Sequence, residues 1–319
     1  MALKDILTVV LRCAGERTTQ ACADLLSRQI PVASLVFVNE RPFEKALRRT
    51  FEIAMERGTK WTITVDADVL MCDGSLASLL KAAEAMPNNY IQLEGRIFDK
   101  VFGVYRQAGH RIYRTSLLSL ALQHVPEVGK TIRPEYFTLQ KMGQCGYPSR
   151  RIADIVGLHD FEQFYLDLYR KSFVHAKKHT WLVTSLIERC TRYCHQDTDF
   201  LIILKGLWDG LVSTDMVSID KCAFHDRGSH ALDEMGIEEK LPLPVPELFL
   251  RGFHDLYCKT VRQYPIPIFV GQDEPSACQR GSEGWFAGVQ LRFERHGLLK
   301  GSAAVVGALL KRVGRYLDS

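Results

Sequence analysis

The feature that most constrains the fold is a short hydrophobic run that ends in two carboxylates, Trp61-Thr62-Ile63-Thr64-Val65-Asp66-Ala67-Asp68. Its β-branched and aromatic residues predict a buried strand over Trp61–Val65. Asp66 and Asp68 then lie at the carboxyl end of that strand, where open α/β sheets bind their ligands. Since alternate residues of a strand point to the same side, the two carboxylates should repel each other unless a cation lies between them. A divalent cation with oxygen ligands is the natural candidate, and a solvated turn is the alternative.

Two strand–helix units precede this strand. Ile6–Leu11 predicts a strand, and a helix capped at Thr18 or Thr19 follows it. A second strand over Ala33–Val38 is followed by a helix over Phe43–Arg57, whose apolar residues recur at helical spacing. Strands and helices that alternate with short connections predict a parallel sheet with right-handed crossovers.

Two later stretches supply further candidate site residues. Pro134 and Glu135 are typical of the first turn of a helix, where a carboxylate is favourable in any case. Farther on, a predicted strand over Ile152–Val156 delivers His159 and Asp160 to its carboxyl end. Asp160 could cap a helix that begins at the next residue, or it could orient the imidazole of His159. Histidine is a common metal ligand, so His159 is a candidate partner for the acidic pair.

The character of the chain changes near residue 160. Beyond it, helical patterns cover Phe161–Lys178, Trp181–Cys194 and Asp197–Leu211, and a loop-rich stretch follows them. We therefore expect an α/β domain over residues 1–160 and a mainly helical region over residues 161–319.

Composition narrows the functional class. The 319 residues carry a formal net charge of +4, too small to argue for a nucleic-acid partner. Nine cysteines, an odd number without a paired framework, favour a reducing compartment. The sequence shows neither a signal peptide nor a run of roughly 18 apolar residues, which predicts a cytoplasmic protein. A basic, amphipathic tail over Leu298–Leu317 allows contact with the inner face of a membrane, and packing on the core is the alternative.

Three segments together resemble a known family. They are the strand Leu7–Leu11 with the polar loop Arg12–Arg17, the helix and acidic pair within Ala46–Asp68, and the helix Glu135–Met142 followed by Gly146-Tyr147. In this order they resemble nucleotide-sugar glycosyltransferases of the GT-A type, similar to family 2-like bacterial enzymes, over about residues 5–160. The resemblance implies a GT-A-like, mostly parallel sheet flanked by helices in the Rossmann-like manner. The mainly helical C-terminal part would shape the acceptor side.

The resemblance also implies roles for particular residues. Asp66, Asp68 and His159 would hold Mn²⁺ or Mg²⁺, an ion that stabilises the diphosphate leaving group as a Lewis acid. The residues that would contact the nucleotide-sugar donor are Arg12, Glu16, Arg17, Asn39, Glu40, Arg48 and Asp66. Glu135 would be the base that removes the proton of the acceptor hydroxyl, and a reaction that retains configuration would need no such base.

The function implied is metal-dependent transfer of a sugar from a UDP- or GDP-sugar to a glycan or lipid-linked acceptor, in bacterial surface-polysaccharide assembly. Two alternatives stay open. A sugar-phosphate nucleotidyltransferase shares the sheet but needs a Gly-rich basic loop after the first strand, whereas Arg12–Arg17 has a single glycine. A non-catalytic glycan-binding protein on the same fold would not hydrolyse nucleotide sugars.

Overall fold

A computed structural model gives the structure of the protein over residues 3–215, 218–243 and 246–264. The tail over Leu298–Leu317, for which the sequence predicts an amphipathic helix, lies outside the described residues. In the described part of the chain, no helix is both long enough and apolar enough to cross a membrane.

Eight strands form one sheet in the order β2-β1-β3-β7-β5-β8-β4, with β6 paired to β5. The strands are β1 (Leu7–Arg12), β2 (Leu35–Val38), β3 (Trp61–Asp66), β4 (Val69–Met71), β5 (Gln92–Asp99), β6 (Val104–Arg106), β7 (His110–Arg114) and β8 (Ser149–His159). The predicted parallel pairing of the first three strands is confirmed, since β1 runs parallel to both β2 and β3. β7 is antiparallel to β3 and to β5, so the complete sheet is mixed.

Helices flank the sheet and then dominate the C-terminal part, so the predicted α/β class with a mainly helical C-terminal region is confirmed. The helices are α1 (Leu3–Ile6), α2 (Thr19–Ser27), α3 (Phe43–Arg57), α4 (Ser75–Glu84), α5 (Leu118–Gln123), α6 (Pro134–Gln144), α7 (Tyr165–Lys178), α8 (Val183–Tyr193), α9 (Thr198–Val212), α10 (His225–Glu234) and α11 (Pro246–Gln263). The helix predicted from Phe161 begins four residues later, and α10 and α11 lie where the sequence predicts loops.

The central strands bury both of their faces. On one face, Val9 of β1 and Ile63 of β3 pack with residues of α2 and α4. On the other face, Val10 packs with Val38 and with residues of α3. Covering both faces with helices explains why these strands read as nearly continuous apolar runs. Helix α11 adds Leu250 to the first of these cores, so the C-terminal region packs directly on the α/β part.

The helices of the C-terminal region pack closely where α7 crosses α9. A Cβ atom on Gly206 would lie 2.5 Å from the carbonyl oxygen of Tyr169 and closer still to the Ser172 hydroxyl. A side chain there would push α9 away from α7. The glycine therefore fixes the position of α7, whose middle turn carries a residue of the candidate site.

The sheet brings several polar side chains to one edge. β1, β3, β5 and β8 run in the same direction, and they end at Arg12, Asp66, Asp99 and His159 respectively. The carboxyl ends of parallel strands form the edge at which α/β proteins bind ligands. The order and direction of the strands therefore place these four residues along one edge of the sheet.

Candidate functional site

Asp68, His159 and Asp160 form the one group of potential metal-ligating side chains found in the described residues. One ligand atom from each lies within 4.8 Å of the others. Asp68 lies between β3 and β4, His159 is the last residue of β8, and Asp160 follows it. β8 pairs with β4, which begins directly after Asp68. The Nε2 atom of His159 lies 3.6 Å from Oδ1 of Asp68. We call these three residues the triad.

The backbone at the end of β8 is unusual. Asp160 has a φ of 63°, in the left-handed region that favours glycine, and its amide donates to the carbonyl oxygen of Asp68 at 3.2 Å. Strained backbone of this kind persists where the surrounding structure holds it in place, often at functional sites. Asp160 does not cap α7, because that helix begins at Tyr165. The alternative in which Asp160 lies against the imidazole is the one observed.

Hydrogen bonds fix the orientation of the His159 ring. Its Nδ1 lies 2.8 Å from Oδ2 of Asp99 and 3.1 Å from Oδ2 of Asp160, so Nδ1–H donates and Nε2 faces Asp68. A histidine held by a carboxylate through one nitrogen, with the other turned to a cation site, is the usual arrangement of metal-ligating histidines. Burial alone would lower the pKa of His159, but Asp160, Asp68 and Asp99 together raise it to about 10.

Lys171 of α7 supplies a positive charge to the triad. Its Nζ donates to Oδ2 of Asp68 at 2.5 Å and also to Oδ1 of Asp160. Burial would raise the pKa of each carboxyl, but Lys171 and His159 outweigh it and hold both pKa values below their usual range. The acidic cluster is thus neutralised in part by an ammonium group of the chain itself.

The triad offers donors of the kind that a divalent cation binds. Oδ1 of Asp68 and Oδ2 of Asp160 are buried and make no well-directed hydrogen bond, and each lies near a nitrogen of His159, at 3.6 and 3.1 Å respectively. Buried carboxylate oxygens are costly to leave without a donor or a cation. Two carboxylates and one imidazole form a mixed oxygen and nitrogen donor set, which suits Mn²⁺ or Mg²⁺.

Asp66, the other half of the acidic pair, has a different partner. Nε of Arg12 donates to its Oδ1 at 2.7 Å, and Nη1 of the same guanidinium donates to Oε1 of Glu135 at 2.9 Å. Arg12 is only 4% exposed and also lies over the ring of Phe43, 4.9 Å from its centroid. Burial raises the pKa of Asp66 to about 6, with Arg12 lowering it and Asp68 raising it. Asp66 thus faces an arginine, and the triad contains Asp68.

Glu135 lies at the centre of a buried ion-pair network. Its carboxylate accepts from Arg12, from Nη1 of Arg111 and, at 2.8 Å, from the hydroxyl of Tyr113. Although burial would raise the pKa of Glu135, the two arginines lower it to about 2. A carboxylate with so low a pKa is a weak proton acceptor at neutral pH. Its surroundings therefore suit an ion-pair role better than a role as general base.

The loop after β1 contains Glu16 and Arg17. Oε2 of Glu16 accepts from the backbone amide of Ala14 at 2.6 Å, and burial together with the charge of Asp68 raises its pKa. Arg17 donates to Oε2 of Glu162 at 2.6 Å and to the carbonyl oxygen of Leu241 at 2.7 Å. This loop is therefore joined to the segment after β8 and to the C-terminal region.

The remaining candidates for donor contacts lie on and after β2. Oδ1 of Asn39 lies 2.5 Å from Sγ of Cys13, and the Glu40 side chain is exposed. Arg48 of α3 donates to the carbonyl oxygen of Val125 at 2.5 Å, which ties α3 to the loop after α5. Asn39 and Glu40 lie at the ligand-binding edge, whereas the contacts of Arg48 connect structural elements.

Sequence reasoning did not select Asp99 and Lys171 for the site. Asp99 is the last residue of β5, so the rule that selected Asp66 at the end of β3 could have selected Asp99 as well. Lys171 occupies a helix position where a solvated lysine is ordinary, so the sequence gives no signal for it. The exposed residues His225 and His230 are on helix α10, within the stretch that the sequence analysis describes as loop-rich.

No family model matches the chain, and no curated protein matches it. Similar solved structures include a glycosyltransferase involved in glycosylation of the major capsid of PBCV-1, with 12% identity, a TM-score of 0.37, and coverage of 48% of this chain and 92% of that one. A mannosyltransferase from Pyrobaculum calidifontis in complex with GDP-Man and Mn²⁺ has 15% identity, a TM-score of 0.37, and coverage of 81% and 82%. CMP:2-keto-3-deoxy-manno-octonic acid synthetase complexed with CTP has 10% identity, a TM-score of 0.34, and coverage of 48% and 91%. Since these identities and scores are low, the function proposed below rests on the residues of this chain.

Proposed function

We propose that the protein is a metal-dependent glycosyltransferase that moves a sugar from a nucleotide-sugar donor to a glycan or lipid-linked acceptor. The observation that carries the proposal is the triad, in which Asp68, His159 and Asp160 converge at the carboxyl edge of the sheet and two buried carboxylate oxygens accept no well-directed hydrogen bond. The resemblance of the N-terminal half to GT-A enzymes supports the same assignment. The setting that this resemblance suggests is bacterial surface-polysaccharide assembly.

In this proposal the triad holds the ion, which would be Mn²⁺ or Mg²⁺ and would stabilise the negative charge of the nucleoside diphosphate as it leaves. Asp99 orients His159, so that Nε2 rather than Nδ1 is directed to the ion. The ammonium group of Lys171 is positively charged, as the ion would be, and donates to the carboxylates of Asp68 and Asp160. Its ammonium is therefore also able to pair with a phosphate oxygen once the carboxylates have another partner.

The ion-pair network of Arg12, Asp66 and Glu135 has a positioning role in our proposal. Arg12 lies between Asp66 and Glu135 and is nearly inaccessible, so it shapes the loop after β1 rather than contacting the diphosphate itself. Asp66 and Glu135 hold that guanidinium in place. The donor would then be bound by the loop that Arg12 supports and by the segment at Asn39 and Glu40.

The role of Glu135 also departs from the sequence prediction, in which it is the base. Glu135 accepts hydrogen bonds from three donors and is held ionised, so we assign it to positioning of Arg12 and Arg111. A general base must present a free lone pair to the acceptor hydroxyl. Glu135→Gln distinguishes the roles, because loss of a base lowers turnover roughly a hundredfold without loss of stability.

The proposed function is tested by binding and by turnover. Calorimetric titration with UDP, GDP, CDP and dTDP, each with and without Mn²⁺, should detect one nucleotide whose affinity depends on the ion. Slow hydrolysis of the matching nucleotide sugar in the presence of Mn²⁺ should follow. Silence from all four nucleotides would remove the donor assignment, and binding without hydrolysis would favour a glycan-binding protein on the same fold.

A further inference from the structure

A closed ring of hydrogen bonds joins the segment after β8 to the loop after β1. On one side, the amide of Asp160 donates to the carbonyl oxygen of Asp68 at 3.2 Å. On the other side, Nε2 of Gln163 donates to Oγ1 of Thr18 at 2.9 Å, and that hydroxyl donates to the carbonyl oxygen of Ala67 at 2.6 Å. Because Ala67 precedes Asp68 directly and Gln163 follows Asp160 by three residues, the contacts close on themselves. We call this arrangement the buried ring.

The hydroxyl of Thr18 is the point at which the two segments meet. Thr18 and Gln163 are both 0% exposed. The hydroxyl donates its single proton to Ala67 and accepts from Gln163, so both partners fix its orientation. The amide of Ala67 is held as well, since it donates to the carbonyl oxygen of Arg12 at 2.9 Å. The residue between the two aspartates is therefore bound to the loop after β1 through both of its backbone polar groups.

The backbone within the buried ring is strained. Asp160 and Glu162 are the two non-glycine residues with a left-handed φ in the described part of the chain, at 63° and 56°. Side chains disfavour this conformation, which persists only where surrounding contacts hold it. The buried ring provides such contacts at both ends of the segment. Without them, we expect the segment to relax and to move Asp160 relative to Asp68.

The polar groups of the buried ring are costly to bury. The amide of Gln163 and the hydroxyl of Thr18 are removed from water, and Oε1 of Gln163 has no hydrogen-bond partner among the described residues. Apolar side chains of similar size would avoid this cost. What the polar pair adds is direction, because its hydrogen bonds set the position of one segment relative to the other.

An ion pair outside the buried ring joins the same two segments. Nη1 of Arg17 lies 2.6 Å from Oε2 of Glu162, whose side chain is 44% exposed. Exposed ion pairs contribute little to stability, because water and salt screen them. The buried ring is therefore the main connection between the loop after β1 and the segment after β8.

We propose that Thr18 and Gln163 are positioning residues that hold Asp160 against Asp68, in the arrangement that one divalent cation needs. They act through the backbone of the two segments and not as ligands of the ion. This inference rests on the proposed function, because the triad is the site that the two residues position. It assigns to the loop after β1 a part in cation binding as well as in donor binding.

Titration of Mn²⁺ into metal-free variants of Thr18 tests the inference. Thr18→Val keeps the shape of the side chain but lacks the hydroxyl, and we expect roughly tenfold weaker Mn²⁺ binding. Thr18→Ser restores the hydroxyl and should bind within about threefold of the wild type, as should Glu162→Gln. The matched control is Thr50→Val, which removes another buried hydroxyl, bonded to Ala46 within α3, and should leave Mn²⁺ affinity unchanged.

Hydrogen exchange in the metal-free protein measures the same positioning without an ion. The amide of Asp160 should exchange roughly tenfold faster in Thr18→Val than in the wild type, whereas the amide of Gly58 at the end of α3 should be unaffected. If the wild type binds Mn²⁺ and either readout is unchanged in Thr18→Val, the inference is wrong and the proposed function stands. If the wild type binds no Mn²⁺ but exchange at Asp160 responds to Thr18→Val, the positioning of Asp160 stands and the proposed function falls.

Discussion

The two carboxylates of the Asp66–Asp68 pair lie two residues apart in sequence and in different electrostatic surroundings. Asp66 belongs to a network in which Arg12 and Arg111 bind Glu135, and Tyr113 completes the coordination of that carboxylate. Asp68 belongs to the triad, where its carboxylate and that of Asp160 pair with Lys171 and lie near the ring of His159. In the first region, which we call the closed region, arginines pair with Asp66 and Glu135, whereas the second region offers the donor set that we propose for a cation. In the function that we propose, the two carboxylates of the Asp-x-Asp motif therefore have different roles, Asp66 in the ion-pair network of Arg12 and Asp68 in the cation site.

The largest expected effect on stability comes from disrupting the closed region around Glu135. Glu135→Gln removes the charge that neutralises two buried arginines, and we expect the free energy of unfolding to fall by about 3–5 kcal/mol. Chemical denaturation measures this loss. The matched control is Glu84→Gln, which breaks an exposed pair with Lys60 and should cost less than about 1 kcal/mol. A fully stable Glu135→Gln with strongly reduced turnover would restore Glu135 as the base.

The pH dependence of the free energy of unfolding distinguishes buried groups that stay in one protonation state in mild acid from those that titrate. With a pKa of about 2, Glu135 stays ionised at pH 4 and keeps its pairs with Arg12 and Arg111, whereas Asp66, with a pKa of about 6, is protonated there. The buried imidazole of His110, which lies outside both regions, should be sensitive to mild acid. Its Nε2 accepts from the amide of Gly95, and its Nδ1–H donates to the carbonyl oxygen of Ala108. Burial lowers its pKa to about 4. Its stabilising contribution is complete above the unfolded pKa of about 6.5 and is lost as the pH falls toward 4.

We therefore expect the free energy of unfolding to fall by about 3 kcal/mol between pH 7 and pH 4 through His110. Denaturation of the wild type and of His110→Gln at both pH values measures it, since glutamine can still accept from Gly95. Identical losses in the two proteins would show that His110 does not titrate in this way.

The ammonium group of Lys171 determines how readily the triad can bind a cation in our proposal. Lys171→Met removes the ammonium that pairs with Asp68 and Asp160, so the metal-free protein should melt at a lower temperature and bind Mn²⁺ roughly tenfold more tightly. Lys205→Met, which breaks a partly exposed pair with Asp209, is the control and should leave Mn²⁺ affinity unchanged. Weaker Mn²⁺ binding by Lys171→Met would show that the lysine supports the ion site instead of competing for it.

How far the sequence predicts the molecule depends on the kind of signal. Helix α3 begins and ends as predicted, at Phe43 and Arg57, because apolar spacing and Gly58 mark both its face and its end. Strand β8 begins earlier than predicted, at Ser149, because Arg151 pairs with Glu94 of β5 at 3.1 Å and makes a charged segment part of the sheet. Such tertiary pairing leaves no local pattern.

In the candidate site too, the residues marked by a local sequence pattern could be predicted and those placed by tertiary contacts could not. Asp68 and His159 could be selected because each follows a recognisable strand, and the sheet does bring them together. Their division from Asp66 could not be predicted, since it depends on Arg12 and Glu135, which are 123 residues apart in sequence. Lys171 enters the site through the packing of α7, and no sequence pattern near it reports that packing.

The smallest effect concerns the helix that carries Lys171. Glu239 accepts from the amides of Tyr165 and Leu166, at 2.7 and 2.9 Å, and so caps the first turn of α7. Glu239→Gln should cost about 1 kcal/mol of unfolding free energy and leave Mn²⁺ affinity unchanged. A changed affinity would mean that the capping charge, and not only the closed packing of α7, positions Lys171.

Calorimetric titration of Mn²⁺ into metal-free wild type, Asp160→Asn and Asp66→Asn tests most directly whether the ion site is the triad and excludes Asp66. The account predicts one ion per wild-type chain, roughly a hundredfold weaker binding to Asp160→Asn, and binding to Asp66→Asn within about threefold of the wild type. Circular dichroism of each variant confirms that it is folded. Strong binding by Asp160→Asn together with loss of binding by Asp66→Asn would contradict the account, because the ion would then belong to the region that we assign to Arg12.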